Sequence, residues 1–215
     1  PVFKISNLEL RNAKQAVRFV DEMSWSLENE SRISFNIDNC HIHNCGGYAT
    51  NGLNSAGIHF EGSGSITGCT IENNSLSTEL SYNIAGGVLV INNTHTPVYI
   101  SDNTIQKNKA YTCGGVVATG AGVIRITGNK LINNFGVAGD GILGKSAIHL
   151  SVYDARNIYI GHNEILTRTA DNPWYIRERG AAVSLASCAT VQPDYDDFGI
   201  SDIIFVNNTF VNSRI

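Results

Sequence analysis

The sequence is poor in charge, in proline and in long apolar runs. Only 16% of the 215 residues are charged and only four are proline, whereas 21 are glycine. No apolar run approaches the roughly 20 residues that a transmembrane helix needs, so no membrane span is expected. The formal net charge of −4 has the wrong sign for binding a phosphate backbone, so nucleic acid is not an expected partner. These shortages favour a single domain, residues 1–215, built from short strands and tight turns.

Residues 98–108 contain a short pattern of two strands and two corners. Val98 and Ile100 alternate with polar residues, which is typical of a strand with one apolar face. Asn103 stands at a corner, where a left-handed backbone is expected because a short polar side chain tolerates it. Ile105 returns to the apolar face, and Asn108 marks the next corner.

The same frame occurs seven times along the chain. The first apolar position is occupied by Ile5, Ile37, Ile66, Ile100, Ile126, Ile160 and Phe205. The second apolar position is occupied by Leu10, Ile42, Ile71, Ile105, Leu131, Ile165 and Phe210. The first corner is occupied by Leu8, Cys40, Cys69, Asn103, Asn129, Asn163 and Asn208. Repeats of this period predict stacked structural units that share one continuous core.

A third strand follows each frame and begins with small residues. Examples are Gly57-Ile58-His59-Phe60 and Gly87-Val88-Leu89-Val90, in which the two apolar residues face inward. Three strands per repeat, stacked in parallel, predict an all-β fold: a right-handed single-stranded parallel β-helix of about seven rungs. The chain begins and ends inside a rung, so we expect a fragment of a larger protein without its own caps.

With this frame, the sequence resembles the parallel β-helix superfamily of pectate lyases, polygalacturonases, alginate-modifying enzymes and phage tailspikes. The resemblance covers nearly the whole chain. It implies a polysaccharide as partner and an extracellular, secreted or virion-surface location. The basic cluster of Lys145, Arg168, Arg177 and Arg179 in an otherwise acidic chain favours an acidic polysaccharide. If the chain is tailspike-like, it also implies a homotrimer.

Insertions concentrate after the second corner of each repeat. They comprise residues 46–55, 75–85, 109–112, 135–145 and 169–179. Stacking places all five on one edge, where loops beside a strand face would line a groove. Residues 187–202 form a further insertion, which would shape one end of that groove.

The first candidate site lies between the last two insertions of that edge. His149 is the expected base, because an imidazole exchanges a proton near neutral pH. Lys145 shares its strand face, and Asp140 precedes it in the preceding insertion.

The insertion at 169–179 supplies the other members of this first site. Arg179 and Arg177 are expected to clamp a carboxylate, and Trp174 offers a flat apolar face to a sugar ring. Tyr175 is an alternative base, and Asp171 is a further substrate contact.

The second candidate site is His59 with Glu61 on the same outward strand face. Arg18 and His149 occupy the same outward column as His59, which runs Arg18, His59, Leu89, Val117, His149 and Ser184. Three rungs separate the two histidines, roughly 14 Å, so they belong to separate sites. The Gly and Ala residues two places earlier either keep this face flat for an extended chain or only allow close packing; both interpretations stay open.

No metal or cofactor is expected. Cys40 and Cys69 share one corner column and are interpreted as stacked buried thiols, with a disulfide as the alternative. His41 and His43 point outward while Cys40 and Cys45 occupy corners, so these residues do not converge on zinc. The outward columns also lack the aspartate cluster of calcium-dependent pectate lyases.

The sequence thus predicts a polysaccharide-active protein that binds and cleaves an acidic glycan, with lyase chemistry favoured over hydrolysis. Hydrolysis needs two carboxylates across the scissile bond, and the outward strand face offers only Glu61. The alternative is an adhesin or tailspike receptor-binding domain that binds a glycan without cleaving it. Long insertions on one edge count against a purely structural spacer.

Overall fold

The computed structural model describes residues 2–20, 34–47, 54–77, 83–120, 122–136, 146–166, 183–185 and 200–211, with side chains except at 54, 83, 146–156, 183–185 and 200–201. These residues form an all-β structure without helices, and their strands pair in parallel. Within them, no helix has the length and apolar character that crossing a membrane would require. The arrangement is compatible with a β-helix-like fold.

Most strands fall into three rows, each made of strands at equivalent positions in successive repeats. Row 1 comprises β1 (Val2–Ser6), β4 (Ser34–Asp38), β9 (Ser63–Thr67), β14 (Val98–Ser101), β18 (Ile124–Thr127), the end of β21 (Ser146–Gly161) and β24 (Ile200–Val206). Row 2 comprises β2 (Glu9–Arg11), β5 (His41–His43), β10 (Thr70–Glu72), β15 (Thr104–Gln106), β19 (Lys130–Ile132), β22 (Glu164–Leu166) and β25 (Thr209–Val211). Row 3 comprises β3 (Val17–Val20), β8 (Ile58–Glu61), β13 (Val88–Ile91), β17 (Cys113–Gly120), the start of β21 and β23 (Val183–Leu185).

Six two- or three-residue strands complete the set. They are β6 (Gly46–Gly47), β7 (Asn54–Ser55), β11 (Ser75–Leu76), β12 (Asn83–Ala85), β16 (Lys109–Ala110) and β20 (Phe135–Gly136). Four of them form a separate parallel sheet in the order β20-β16-β11-β6. The first residues of four insertions are therefore strands and not loops. Their amides continue the ladder of the preceding corner, as where Ser75 N–H donates to the Cys45 carbonyl at 2.8 Å.

The strand register confirms the repeat frame in all three rows. In row 1, Ile100 pairs with Ile66 on one side and Ile126 on the other, and the pairing continues from Ile5 to Phe205. Row 2 pairs its apolar residues in the same way from Leu10 to Phe210. Row 3 aligns Arg18, His59, Leu89, Val117, His149 and Ser184.

The inward residues of the three rows form one core. Ile37, Ile66, Ile100, Ile126 and Ile160 are each fully buried, as predicted. At the N-terminal end of the core, Phe19 stacks on Phe35 with ring centroids 4.7 Å apart. Filling the rows with branched aliphatic side chains suits a narrow core, because each rung presents few inward positions.

The first corner is held by a ladder of asparagine amides. Nδ2 of Asn129 donates to the Ile100 carbonyl at 2.8 Å and to Oδ1 of Asn163 at 3.0 Å. Oδ1 of Asn129 accepts from the backbone N–H and Nδ2 of Asn103. Asn103, Asn163 and Asn208 repeat the pattern, so the prediction of a structural asparagine column is confirmed.

The predicted position of the left-handed residue at this corner is wrong by one place. Asp102 has φ of 57°, whereas Asn103 is not among the residues with positive φ. Gly68, Gly128 and His162 occupy the equivalent place. The asparagine that follows turns its amide inward to the backbone of adjacent rungs, so its role is hydrogen bonding.

Cysteines replace asparagine in the second and third repeats of this corner column. Cys40 and Cys69 are thiols and not a disulfide, which decides between the two interpretations. The backbone N–H of Cys40 points to Sγ of Cys69 at 3.4 Å, and that Sγ points to the Ile37 carbonyl at 3.8 Å. Burial raises the pKa of the Cys69 thiol to about 11. Each thiol thus occupies the place of an amide with weaker hydrogen bonds.

The glycines before the row 3 strands are required by backbone packing. A Cβ built on Gly57 would lie 2.3 Å from the Gly87 carbonyl oxygen, and one on Gly87 would lie 2.7 Å from that of Gly115. These glycines allow adjacent repeats to approach closely, which supports the packing interpretation at Gly57 and Gly87.

Candidate functional site

The outward face of row 3 is buried in its middle strands, contrary to the exposed floor predicted from sequence. Leu89 and Val117 are both fully buried and form a second apolar cluster with Ile84, Ala85, Ile91 and Cys113. Leu and Val in this outward column already indicate that the surface around them is covered. Arg18, at the end of the column, is exposed.

His59 and Glu61 form a hydrogen-bonded pair at the edge of this apolar cluster. They stand two residues apart on β8, so both side chains lie on the same face. Nε2 of His59 lies 2.6 Å from Oε1 of Glu61, and the two side chains are only 3% and 7% exposed. The prediction that they share one outward face is confirmed, but the prediction that this face is exposed is wrong.

One nitrogen of this pair has no partner. Among the side chains that the structure describes, Nδ1 of His59 is the single buried polar atom without a hydrogen bond. An ionised Glu61 can only accept, so Nε2 then carries the ring hydrogen and Nδ1 holds a lone pair. A carboxylate behind a histidine fixes its tautomer in this way in hydrolytic triads. The arrangement therefore leaves a buried ring nitrogen with a lone pair and no donor.

The surroundings of the pair differ on its two sides. In the row 3 register, Leu89 lies beside His59 and Ile91 beside Glu61, both buried. On the opposite side, the exposed Arg18 lies beside His59 and the half-buried Val20 beside Glu61. Apolar neighbours on one side strengthen the His59–Glu61 hydrogen bond by lowering the local dielectric. The cationic side of the His59–Glu61 pair is therefore the side that faces β3, which carries Arg18.

Most residues of the first predicted site fall outside the described residues. These are Asp140, Lys145, Asp171, Trp174, Tyr175, Arg177 and Arg179. His149 lies on β21, and its backbone pairs with Val117 and Ser184 as the frame predicts. Of the predicted site residues, the structure brings together His59, Glu61 and Arg18.

A second polar cluster, missed from sequence, lies on the outward face of row 2. His41 and His43 of β5 flank the buried Ile42, and their rings stack with centroids 4.2 Å apart. Nε2 of His43 lies 2.9 Å from Oε1 of Glu9, and Nε2 of His41 lies 2.9 Å from Oε1 of Glu72. The two carboxylates come from the flanking strands β2 and β10.

Both carboxylates of this second cluster are stabilised in their ionised form. The hydrogen bond from His43 lowers the pKa of Glu9, with a further contribution from Arg11. The hydrogen bond from His41 lowers the pKa of Glu72, and Gln106 donates to its other oxygen at 2.6 Å. One ligand atom from each of Glu9, His41 and His43 lies within 4.8 Å of the other two, a spacing that could hold a metal ion.

The chain matches no protein-family model, and comparisons with curated proteins and with solved structures found no match. Function is therefore inferred from the chemistry of its own residues.

Proposed function

We propose that the chain is a right-handed parallel β-helix of about seven rungs that binds and cleaves an acidic polysaccharide at Arg18, His59 and Glu61. The observation that carries the proposal is the unpartnered Nδ1 of His59, whose ring is held by a 2.6 Å contact between Nε2 and Oε1 of Glu61. A buried polar atom without a partner is rare and calls for a functional explanation. Cleavage by a lyase accounts for the three residues together.

A uronate lyase needs a group that neutralises the sugar carboxylate. Arg18 supplies a guanidinium from the neighbouring strand, whose backbone lies roughly 4.8 Å from that of His59. A guanidinium binds a carboxylate through two parallel hydrogen bonds, and this contact makes the proton on the adjacent carbon easier to remove.

The second requirement is a base, which His59 supplies through Nδ1. The proton moves from C5 of the uronate to Nδ1, and the C5–H electron pair forms the C4=C5 double bond. The C4–O bond then breaks, and the leaving oxygen takes a proton from the imidazolium or from water. Glu61 stabilises the imidazolium formed in between, because its carboxylate already accepts from Nε2.

Hydrolysis is less well supported by the described residues. Retaining and inverting glycosidases both need two carboxylates that flank the scissile bond at about 5–9.5 Å. Glu61 already accepts a hydrogen bond from His59, and its neighbours in the row 3 register are Val20 and Ile91. An elimination needs one base and one cation, which are the groups that this edge offers.

The test is incubation with a panel of acidic polysaccharides, including pectate, alginate and glycosaminoglycans. We expect one of them to yield new reducing ends together with the ultraviolet absorbance of unsaturated uronates. His59→Gln should abolish that absorbance, and the control His95→Gln, at an exposed histidine, should retain it. Reducing ends without the absorbance would replace the lyase by a hydrolase. Binding without cleavage would support the alternative, an adhesin or tailspike receptor-binding domain.

Location and assembly follow from this proposal. A protein that acts on a polysaccharide meets it outside the cell, so we place the chain among secreted or virion-surface proteins. A tailspike-like protein would be a homotrimer, which sedimentation of the purified chain tests directly.

A further inference from the structure

We propose that Glu9, His41 and His43 form a binding site for a divalent transition-metal ion of the zinc class. The site lies on the outward face of row 2, on other strands than His59 and Glu61, and is independent of the proposed lyase activity. Three observations carry it: the ligand types, their convergence, and the groups that orient them.

The ligand set fits zinc and its neighbours in the first transition series. Two imidazoles and one carboxylate form the donor set of many open zinc sites, in which a fourth position takes water or substrate. The pair His41 and His43 presents both rings on one face because residues i and i+2 of a strand point the same way. Glu9 joins them because β2 pairs with β5 in the register Glu9 to His41.

The distances need only side-chain adjustment to accept an ion. Tetrahedral zinc with bonds of about 2.0–2.1 Å separates its ligand atoms by about 3.3 Å. Nε2 of His43 and Oε1 of Glu9 are 2.9 Å apart and would open slightly. The three ligand atoms lie within 4.8 Å of one another. Rotation of the His41 ring would shorten its distances to the other two ligand atoms toward this value.

Further residues orient the ligands. Nδ2 of Asn44 is 2.8 Å from Nδ1 of His43, and a half-turn of this amide would present its oxygen to an Nδ1–H when Nε2 binds metal. Glu72 lies 2.9 Å from Nε2 of His41 and orients that ring from β10. Gln106 holds the other oxygen of Glu72.

A bound ion would join β2 to β5, because Glu9 lies on β2 and both histidines lie on β5. Strand β2 is the last strand of the row 2 sheet as described, so the ion would tie a terminal strand to its neighbour. An ion that binds the folded chain in preference to the unfolded one stabilises it by mass action.

The test is titration of chelator-treated protein with Zn²⁺ by calorimetry and with Co²⁺ by visible absorption. We expect one ion per chain, Co²⁺ bands typical of four- or five-coordination, and a melting temperature that rises with Zn²⁺. His43→Gln and His41→Gln should each weaken binding at least tenfold, whereas the control His95→Gln should bind as the wild type does.

Three results would overturn the site. These are no uptake of Zn²⁺ by the wild type at millimolar concentration, equal affinity in the His41→Gln/His43→Gln double variant, or a sulfur-to-cobalt charge-transfer band that indicates cysteine ligation. The wild-type Co²⁺ spectrum decides the question even if the double variant fails to fold.

Discussion

The molecule carries two histidine–carboxylate groups whose chemistry is alike and whose surroundings differ. His59 and Glu61 are 3% and 7% exposed and border an apolar cluster, whereas His41 and Glu72 are 44% and 21% exposed. The buried pair leaves one ring nitrogen without a partner, and the second cluster brings two rings and the carboxylate of Glu9 within 4.8 Å of one another. Burial suits the His59–Glu61 pair to hold one imidazole in a single orientation and tautomer. Exposure and convergence suit the second to bind an ion.

Replacing the carboxylate in each group should give the largest difference between them. Glu61→Gln places an amide donor against Nε2 of His59, which moves the ring hydrogen to Nδ1 and removes the base. We expect kcat on the cleaved polysaccharide to fall about 10²–10⁴-fold with KM within tenfold. Glu9→Gln should leave kcat unchanged. Equal losses in both variants would mean that the two groups do not differ in function.

The asparagine ladder shows how much stability is lost when a buried polar side chain with all its hydrogen bonds is removed. Asn129→Ala removes four hydrogen bonds and leaves buried backbone groups without partners, so we expect a loss of about 2–4 kcal/mol in the free energy of unfolding. Chemical denaturation measures it. The activity of the folded fraction should not change, and a change in ligand affinity would show that the ladder contacts substrate.

Truncating the buried pair should cost less than the ladder. Glu61→Ala leaves Nε2 of His59 buried without an acceptor, and one such group costs about 1–3 kcal/mol. Urea unfolding of the variant checks this. A variant as stable as the wild type would mean that water already reaches the pair.

The exposed cluster should contribute least to stability in the absence of metal. Glu72→Gln breaks a half-exposed pair, for which about 0.2–1 kcal/mol is expected. The measurement is urea unfolding with chelator present. A loss as large as that of Glu61→Ala would remove the distinction between the two groups.

The thiol of Cys69 adds an effect on stability that depends on pH. Its pKa is raised to about 11 because burial favours the neutral form, so its contribution to stability is complete below pH 9 and is lost as the pH rises through 11. Cys69→Ser keeps a donor to the Ile37 carbonyl and does not ionise. The stability difference between wild type and variant should shift in favour of the variant between pH 9 and 11, and a constant difference would refute the assignment.

The inward side of the fold could be predicted from sequence, because apolar residues recur at fixed spacing. The partners of Ile100, which are Ile66 and Ile126, could be predicted because all three occupy the same position in their repeats. The same frame places Leu10 beside Ile42, so Glu9 beside His41 could have been found from it. Residues 40–45 alone do not indicate this cluster, because its carboxylate comes from the neighbouring strand β2.

The outward side could not be predicted to the same degree. Strand alternation says that Leu89 points away from the core but does not say what covers it. The hydrogen bond between His59 and Glu61 depends on their side-chain rotamers. Their spacing of two residues allows this hydrogen bond but does not require it. The left-handed residue at Asp102 is hard to identify from sequence, because the equivalent positions carry different residue types, whereas the following column is mostly Asn.

The most direct test of the central claim compares two histidines of the same column, His59 and His149. His59→Gln and His149→Gln are assayed side by side for unsaturated uronate on the polysaccharide that the wild type cleaves. The account predicts that His59→Gln lowers kcat at least 100-fold while His149→Gln stays within tenfold. Full turnover in His59→Gln, with loss in His149→Gln, would contradict it and would move the active site to the groove between residues 135–145 and 169–179.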